Sequence, residues 1–232
     1  MRKSIIVLIS ISILGIYILC GQEVRPRSVE VSVVAGPTLA WASPKNDGYD
    51  NRGGKIGGVY GLNVDVNLAK PLKNYYFHTG LNARHIRTEL SFMDAYEDKD
   101  KASINAVYNI VYLSIPTAIK FKTDEFGRFV IFGIFGMDNS VCIDSKMKYK
   151  KIDYEKVDKE EDIYKNTFLL REALYVSLGF DFIIKNNTKA TFALAFNNAF
   201  TPTYRKNYIN LNTDQKVEDK SRMFEFQFGF VF

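Results

Sequence analysis

Hydrophobic and polar residues alternate with a period of two along most of this chain. The alternation is strongest over residues 222–232, RMFEFQFGFVF, where Phe224, Phe226, Phe228, Phe230 and Phe232 interleave with Glu225, Gln227, Gly229 and Val231. Successive strand residues point to opposite faces, so this stretch predicts a strand with one wholly aromatic side. Residues 28–42 set Val29, Val31, Val33, Leu39 and Trp41 against Glu30, Ser32 and Thr38. Residues 55–69 set Tyr60, Leu62, Val64 and Val66 against Gly61, Asn63 and Asp65. Residues 75–90, 107–121, 168–184 and 190–204 repeat the pattern, with His78, Arg84, Lys120, Arg171 and Asp181 on the polar faces. Residues 128–142 are apolar on both faces, and periodicity alone does not give their sides. Pro116 lies inside one of these runs and must forfeit a ladder hydrogen bond, so a bulge or local distortion is expected there.

Eight strands follow, with connections that run long, short, long, short, long, short, long. The longest, residues 143–167, is dense in mixed charge and reads as a solvated loop. Short turns on one side and long loops on the other are the layout of an outer-membrane barrel, and an even strand number returns both ends to the periplasm. The apolar faces are too many and too large to fill one small barrel interior, which argues against a soluble eight-stranded barrel. The expected fold is therefore all-β: an eight-stranded antiparallel up-and-down transmembrane barrel in the bacterial outer membrane. Phe228, Phe230 and Phe232 are expected to form the terminal signal read by the outer-membrane assembly machinery.

Composition changes this picture little. The hydrophobic share of 47% is too high for a disordered chain, and a mean hydropathy of −0.13 is ordinary for a barrel with a polar lumen. Residues 1–21 read as a cleaved signal peptide, with Arg2 and Lys3 ahead of an apolar run, leaving residues 22–232 as the barrel. The formal charge of +5 falls to +3 without that leader, and the remaining charges form no basic stripe, so nucleic acid is not an expected partner. Loss of Cys20 with the leader leaves Cys142 alone and the fold without an internal disulfide.

The polar faces place Glu30, Asp65, His78, Lys120 and Asp181 toward the periplasmic end of the lumen, with Arg84, Arg171 and Glu225 higher. Buried charges need partners. Lys120 is expected to neutralise the lower acids, and Arg84 and Arg171 to bracket Glu225. A narrow ion path is the functional alternative to this structural network. Outward aromatics near strand ends, among them Trp41, Phe121, Phe182 and Phe192, are candidates for the interface girdle.

Motifs for catalysis are nearly absent: the chain has no HExxH, GxSxG, CxxC or phosphate loop. His85, outward near the outer end with Glu89 beyond it, is the candidate centre of a lipid A-modifying enzyme. No catalytic residue, metal site or cofactor is otherwise expected.

Residues 112–122, YLSIPTAIKFK, resemble the Y-L-x-I-P-x-x-x-K-[FY] strand of the PorT-like outer-membrane barrels of Bacteroidetes. Gly36-Pro37, Gly61-Leu62, Gly80-Leu81 and Leu178-Gly179-Phe180 also fit that family, while Ser114 stands where members often carry an acidic residue. The resemblance implies an eight-stranded outer-membrane barrel and, for the family's named member, a part in type IX protein secretion. The expected function is a non-enzymatic barrel of the envelope, acting in structure and interaction or as a secretion accessory. Its expected partners are outer-membrane lipid and lipopolysaccharide, the assembly machinery and possible secretion-system proteins.

Overall fold

The computed structural model describes residues 29–44, 49–68, 74–93, 103–151, 159–185, 188–205, 209–210, 215–216 and 219–232. The leader expected at residues 1–21 lies outside the described residues. Eleven strands form among those described: β1 (Val29–Pro44), β2 (Tyr49–Asn67), β3 (Tyr75–Met93), β4 (Ser103–Lys122), β5 (Phe129–Lys151), β6 (Lys159–Asp162), β7 (Leu170–Lys185), β8 (Thr188–Ala199), β9 (Ile209–Asn210), β10 (Gln215–Lys216) and β11 (Asp219–Val231). Eight of them close on one another in the order β1-β2-β3-β4-β5-β7-β8-β11, every pair antiparallel. The seam is β1 against β11, from Ser32 opposite Val231 up to Pro44 opposite Asp219. Strand β6 pairs with β5 above the point where its pairing with β7 ends, and β9 pairs with β10 apart from the barrel.

The alternation of faces is as the sequence implies. Val29, Val31, Val33, Leu62, Leu81, Ile115, Leu178, Leu194 and the five phenylalanines of residues 224–232 are exposed on the outside. Inside, the even positions of β1, of β3 up to Leu90 and of β4 from Ala106, and the odd positions of β2 from Lys55, of β7 up to Ile183, of β8 and of β11, are covered. The undecided segment resolves as well. In β5 Val130, Phe132, Ile134, Asp138, Ser140 and Cys142 face inward, and Phe129, Ile131, Phe135 and Val141 face out.

One expectation is corrected. The predicted loop 143–167 begins as strand: β5 runs to Lys151, and β6 pairs back onto it through Lys146–Asp162 to Tyr149–Lys159. Its charges alternate with buried Ser145 and Met147, so a period-two pattern lies under the charge density. Pro116 shows the expected loss of ladder pairing as a local distortion rather than a bulge. Its register with β5 is continuous, and pairing with β3 lapses between His78–Ala118 and Asn82–Ser114 without a shift. The bulge lies higher, where Tyr112–Cys142 gives way to Val111–Asp144 and Ile143 is the extra residue. It swaps the sides of β5, from even positions inward below to Ser145 and Met147 inward above.

Glycine is required at two kinds of place. Gly127, at φ +62°, is the first central residue of a two-residue turn closed by Phe126 N–H donating to Phe129 O at 2.8 Å and Phe129 N–H to Phe126 O at 3.0 Å. Mirror-image hairpin turns need that positive φ. Gly36 sits in the seam, where a Cβ would run into the carbonyl of Phe226. A Cβ on Gly58 would meet nothing nearer than Gly36 O at 3.8 Å. Gly36→Ala should therefore cost about 1–3 kcal/mol of folding stability and lower the unfolding midpoint, and Gly58→Ala should leave the midpoint near the parent's. Urea unfolding in lipid vesicles, followed by the loss of heat-modifiable gel mobility, reads the difference. Equal midpoints would show that the seam adjusts.

Candidate functional site

The lumen is filled in layers. At the periplasmic end Glu30 accepts hydrogen bonds from Lys122 and from Lys189, the latter at 2.9 Å. Lys122 also lies over the Tyr76 ring and 3.9 Å from Asp181, whose two buried carboxylate oxygens have no hydrogen-bond partner among the described residues. Next comes Asp65, held by Lys120 at 2.7 Å and by His78 Nδ1 at 2.6 Å. Lys120 lies over the Phe132 ring, and His78 stacks on Tyr175. A cavity of about 20 Å³, room for a single water, opens between Lys120, His78, Asn63 and Gln227.

The middle layer is the densest. Arg84 Nε donates to Glu225 at 2.7 Å, and its Nη1 donates to Asp138 at 3.0 Å. Arg171 reaches the other oxygen of Asp138 at 3.4 Å and donates to Asn197 at 2.6 Å and Ser221 at 3.1 Å. Ser114, Ser140 and Asn197 also donate to Asp138. Gln227 ties Glu225 to the Tyr175 hydroxyl. Two arginines face two carboxylates, so this layer carries no net charge. The arrangement satisfies the requirement that charges taken out of water be paired and hydrogen-bonded.

Above it the interior turns apolar. Ala40, Ile86, Ile110, Tyr112, Cys142 and Met223 pack together, and over them lie Ala42, Leu90, Ala106, Tyr108, Met147, Ile163 and Tyr204. At the outer end of the seam Asp219 is buried. It accepts from Ser43 N–H at 2.6 Å and from Thr203 at 3.4 Å. Burial pushes its carboxyl up to about 6, against the pull of the hydrogen bonds from Ser43, Lys220 and Thr203.

All seven residues expected in the lumen network face inward. Glu30 is partly covered, and Asp65, Arg84, Lys120, Arg171, Asp181 and Glu225 are buried. Two expected pairings change. Lys120 holds Asp65, while Glu30 belongs to Lys122 and Lys189, each one residue outside the strands expected over residues 107–121 and 190–204. The arginines bracket Asp138 rather than Glu225. Asp138 was hidden in the segment whose two faces looked alike. Its one readable signal was an acid inside an apolar run, which is costly unless cations await it.

Outside, His85 faces the membrane side as expected. It stacks on Tyr60, with Nε2 3.4 Å from the hydroxyl. Glu89 pairs with Lys55 instead. Trp41 packs on Phe196 and Phe224, and Phe121 on Tyr75. Phe182 meets Phe129, and Phe192 lies between Phe180 and Phe228. Phe228, Phe230 and Phe232 are exposed on the outer surface.

No protein-family model and no curated protein matches this chain. Among solved structures it is similar to Neisserial surface protein A, at 12% identity and a TM-score of 0.43 over 89% of this chain and 98% of that one. It is also similar to the outer membrane protein OprG from Pseudomonas aeruginosa, at 14% and 0.43 over 89% and 97%. Ail of Yersinia pestis, solved with a heparin analogue, gives 15% and 0.38 over 88% and 99%. The likeness is one of barrel layout. The architecture itself rests on this chain's own closed strand pairing and its apolar exterior, which suit a lipid surround and no other. The protein is an eight-stranded barrel of the bacterial outer membrane.

The middle layer yields one prediction and the seam another. Glu225→Ala strands Arg84 beside Asp138 alone and should cost about 3–5 kcal/mol of folding stability. Glu160→Ala, which removes an exposed partner of Lys148, should leave the urea midpoint where it was. Matching midpoints for the two variants would contradict the network. For Asp219 the folded value lies above the ordinary 3.8, so the native state holds its proton more tightly between about pH 4 and pH 6. The stability from this group is present below about pH 4 and is lost as pH rises through about 6. Asp219→Asn should escape that loss, so its midpoint should gain on the parent's between pH 4 and pH 7. A constant difference across that range would refute the assignment.

Proposed function

We propose that this protein is a non-enzymatic barrel whose work is done by its outer surface and outer end, in envelope structure and interaction. The observation that carries the reading is the filled lumen. Paired charges occupy its lower two layers, and two apolar clusters stop its outer third. An ion would have to part charge pairs in low dielectric and then cross a dry cap, each step costing several kcal/mol. The arrangement around His85 favours the same reading: its hydrogen-bond partner is Tyr60, and Glu89 is engaged by Lys55.

The resemblance of residues 112–122 to PorT-like barrels favours one form of interaction, an accessory role in type IX protein secretion. In that form the barrel docks on other envelope proteins. The stretch that carries the resemblance is part of β4, whose inward side supplies Ser114 and Lys120 to the lumen network.

Two measurements separate these readings. In planar bilayers the folded protein should show no stepwise conductance, and open-channel steps at ordinary salt would overturn the filled-lumen argument. A clean deletion in the host then addresses secretion. Retention of proteins with type IX sorting tails inside the cell, reversed by complementation, is the result the accessory form expects. An unchanged secreted set removes that form and leaves the general surface role.

A further inference from the structure

Three neighbouring strands carry a strongly polar side chain on the lipid-facing side. Glu172 on β7 lies between buried Arg171 and Ala173, Asn198 on β8 between buried Asn197 and Ala199, and Arg222 on β11 between buried Ser221 and Met223. Alternation therefore turns all three outward. Following direct partners from Glu30 once round the barrel, by way of Asp65, Gly136 and Met223, arrives at Ala40, ten residues up β1. The strands tilt accordingly, and a line of constant height drops by about one residue per strand against the direct partners. The Phe200 N–H donates to Glu172 O at 2.8 Å across β7 and β8, and Asn198 pairs with Arg222 across β8 and β11. With that drop, the three residues share one height to within about 3 Å. Apolar surface continues on both sides of them: Phe200 is exposed above, and Val176, Leu194 and Phe224 are exposed below.

The row is only partly satisfied within one chain. Arg222 Nε donates to Asn198 Oδ1 at 3.2 Å. The other two guanidinium nitrogens, the Asn198 amide nitrogen and the Glu172 carboxylate have no hydrogen bond or ion pair among the described residues. Other outward polar groups are better served: Asn139 donates to Thr117 at 3.2 Å, and His85 Nε2 lies 3.4 Å from the Tyr60 hydroxyl. Strand β8 keeps Glu172 and Arg222 apart, since eight strands set neighbours about 45° apart around the axis. A charge left alone on a lipid face is costly, so each calls for an opposite charge from outside the chain.

We propose that the face formed by β7, β8 and β11 docks on the same face of a second copy of this chain, giving a two-fold dimer within the membrane. A two-fold axis along the membrane normal, in front of Asn198, keeps every residue at its own height and exchanges left for right. It sets Glu172 of each copy before Arg222 of the other and brings the two Asn198 side chains together. The order acid, amide, cation is self-complementary under that operation, as an isologous contact requires. Sheets pack face to face about 10 Å apart, a gap that a glutamate and an arginine reaching from opposite sides span. The arginine fork suits the carboxylate, and Val176, Leu194 and Phe224 supply apolar contact below the row. A different protein would have to present the row in reverse, whereas a second copy does so by symmetry. The inference deepens the surface-interaction reading, on which it rests, by naming one partner.

Site-directed cross-linking tests it. N198C places a thiol on the proposed axis, and A83C places one on the outward side of β3, directly across the barrel. Each is folded into phosphatidylcholine vesicles, checked by heat-modifiable mobility and oxidised with copper phenanthroline. N198C is expected to give a disulfide-linked pair, whereas A83C and the parent, whose Cys142 is buried, are not. Added to N198C, E172Q should raise the protein-to-lipid ratio for half cross-linking about tenfold, since each dimer loses two pairs worth roughly threefold apiece. E172R and R222E should raise it further, and the exchange E172R/R222E should bring it back to that of N198C alone. Should the exchange not fold, E172Q and R222Q are read in its place. Absence of a cross-link in N198C, an equal one in A83C, single variants that behave like N198C alone, or a folded exchange that restores nothing would each overturn the proposal. Conductance in planar bilayers would sink the filled-lumen reading without altering these cross-links, so the two failures are distinguishable.

Discussion

Everything in this molecule depends on the pairing of β1 with β11. In hydrocarbon a backbone N–H or C=O finds no water, so a sheet with an open edge does not survive there. The seam removes the edge, and the sequence is shaped to allow it. Gly36 admits the Phe226 carbonyl at the point of closest approach. Pro37, which has no N–H to donate, sits where the β1–β11 ladder lapses between Ala35–Phe228 and Thr38–Glu225. The aromatic outer face of β11 then lies against Trp41 and the Phe192–Phe196 side of β8, joining the first, last and penultimate strands into one lipid-facing surface.

Closure at eight strands fixes the lumen's width, and the width forces its chemistry. A cylinder this narrow is filled by side chains. Since the inner face of a membrane strand is the one free to be polar, the filling here is largely charged, and charge in a confined space has to balance. The middle layer balances two against two. The lower one sets Lys120, Lys122 and Lys189 against Glu30, Asp65 and Asp181. The serines, Asn197 and Gln227 take up lone pairs and protons that the ion pairs leave over. A network in this state fastens strands distant in sequence to one another: Arg84 on β3 ties β5 to β11, and Arg171 on β7 ties β5 to β8 and β11.

Strand number, facing and the membership of the charge network were legible because period-two alternation is a local property. Lys120 and Glu225 announce their side through their immediate neighbours. Pairing was less legible, because it depends on shear, which no single strand records. Lys120 and Lys122 are two residues apart on one face, yet they serve different acids, Asp65 on β2 and Glu30 on β1, which β4 meets only across the closed lumen. Asp138 went unseen for another reason: Gly133, Gly136 and the apolar residues around it blur the two sides of β5. The extension of β5 to Lys151 was masked by charge, since Lys146 and Lys148 look like loop until Ser145 and Met147 are seen between them.

That extension explains the change of interior along the axis. Within the apolar belt, lipid takes up the hydrophobic surface on the outside, and the inside is left to ions. Above the belt the outer surface meets water, and Lys146, Lys148 and Glu160 pair there in the open. The hydrophobic residues of that region have to be buried inward, as in any soluble barrel, and they are: Leu90, Ala106, Tyr108, Met147, Ile163 and Tyr204 form one cluster. The bulge at Ile143 belongs to the same transition. One inserted residue reverses the faces of β5, so that an apolar-out strand below becomes a charged-out strand above. The barrel is thus two solvation problems on one set of strands. The apolar cap over the ion network follows from the upper one.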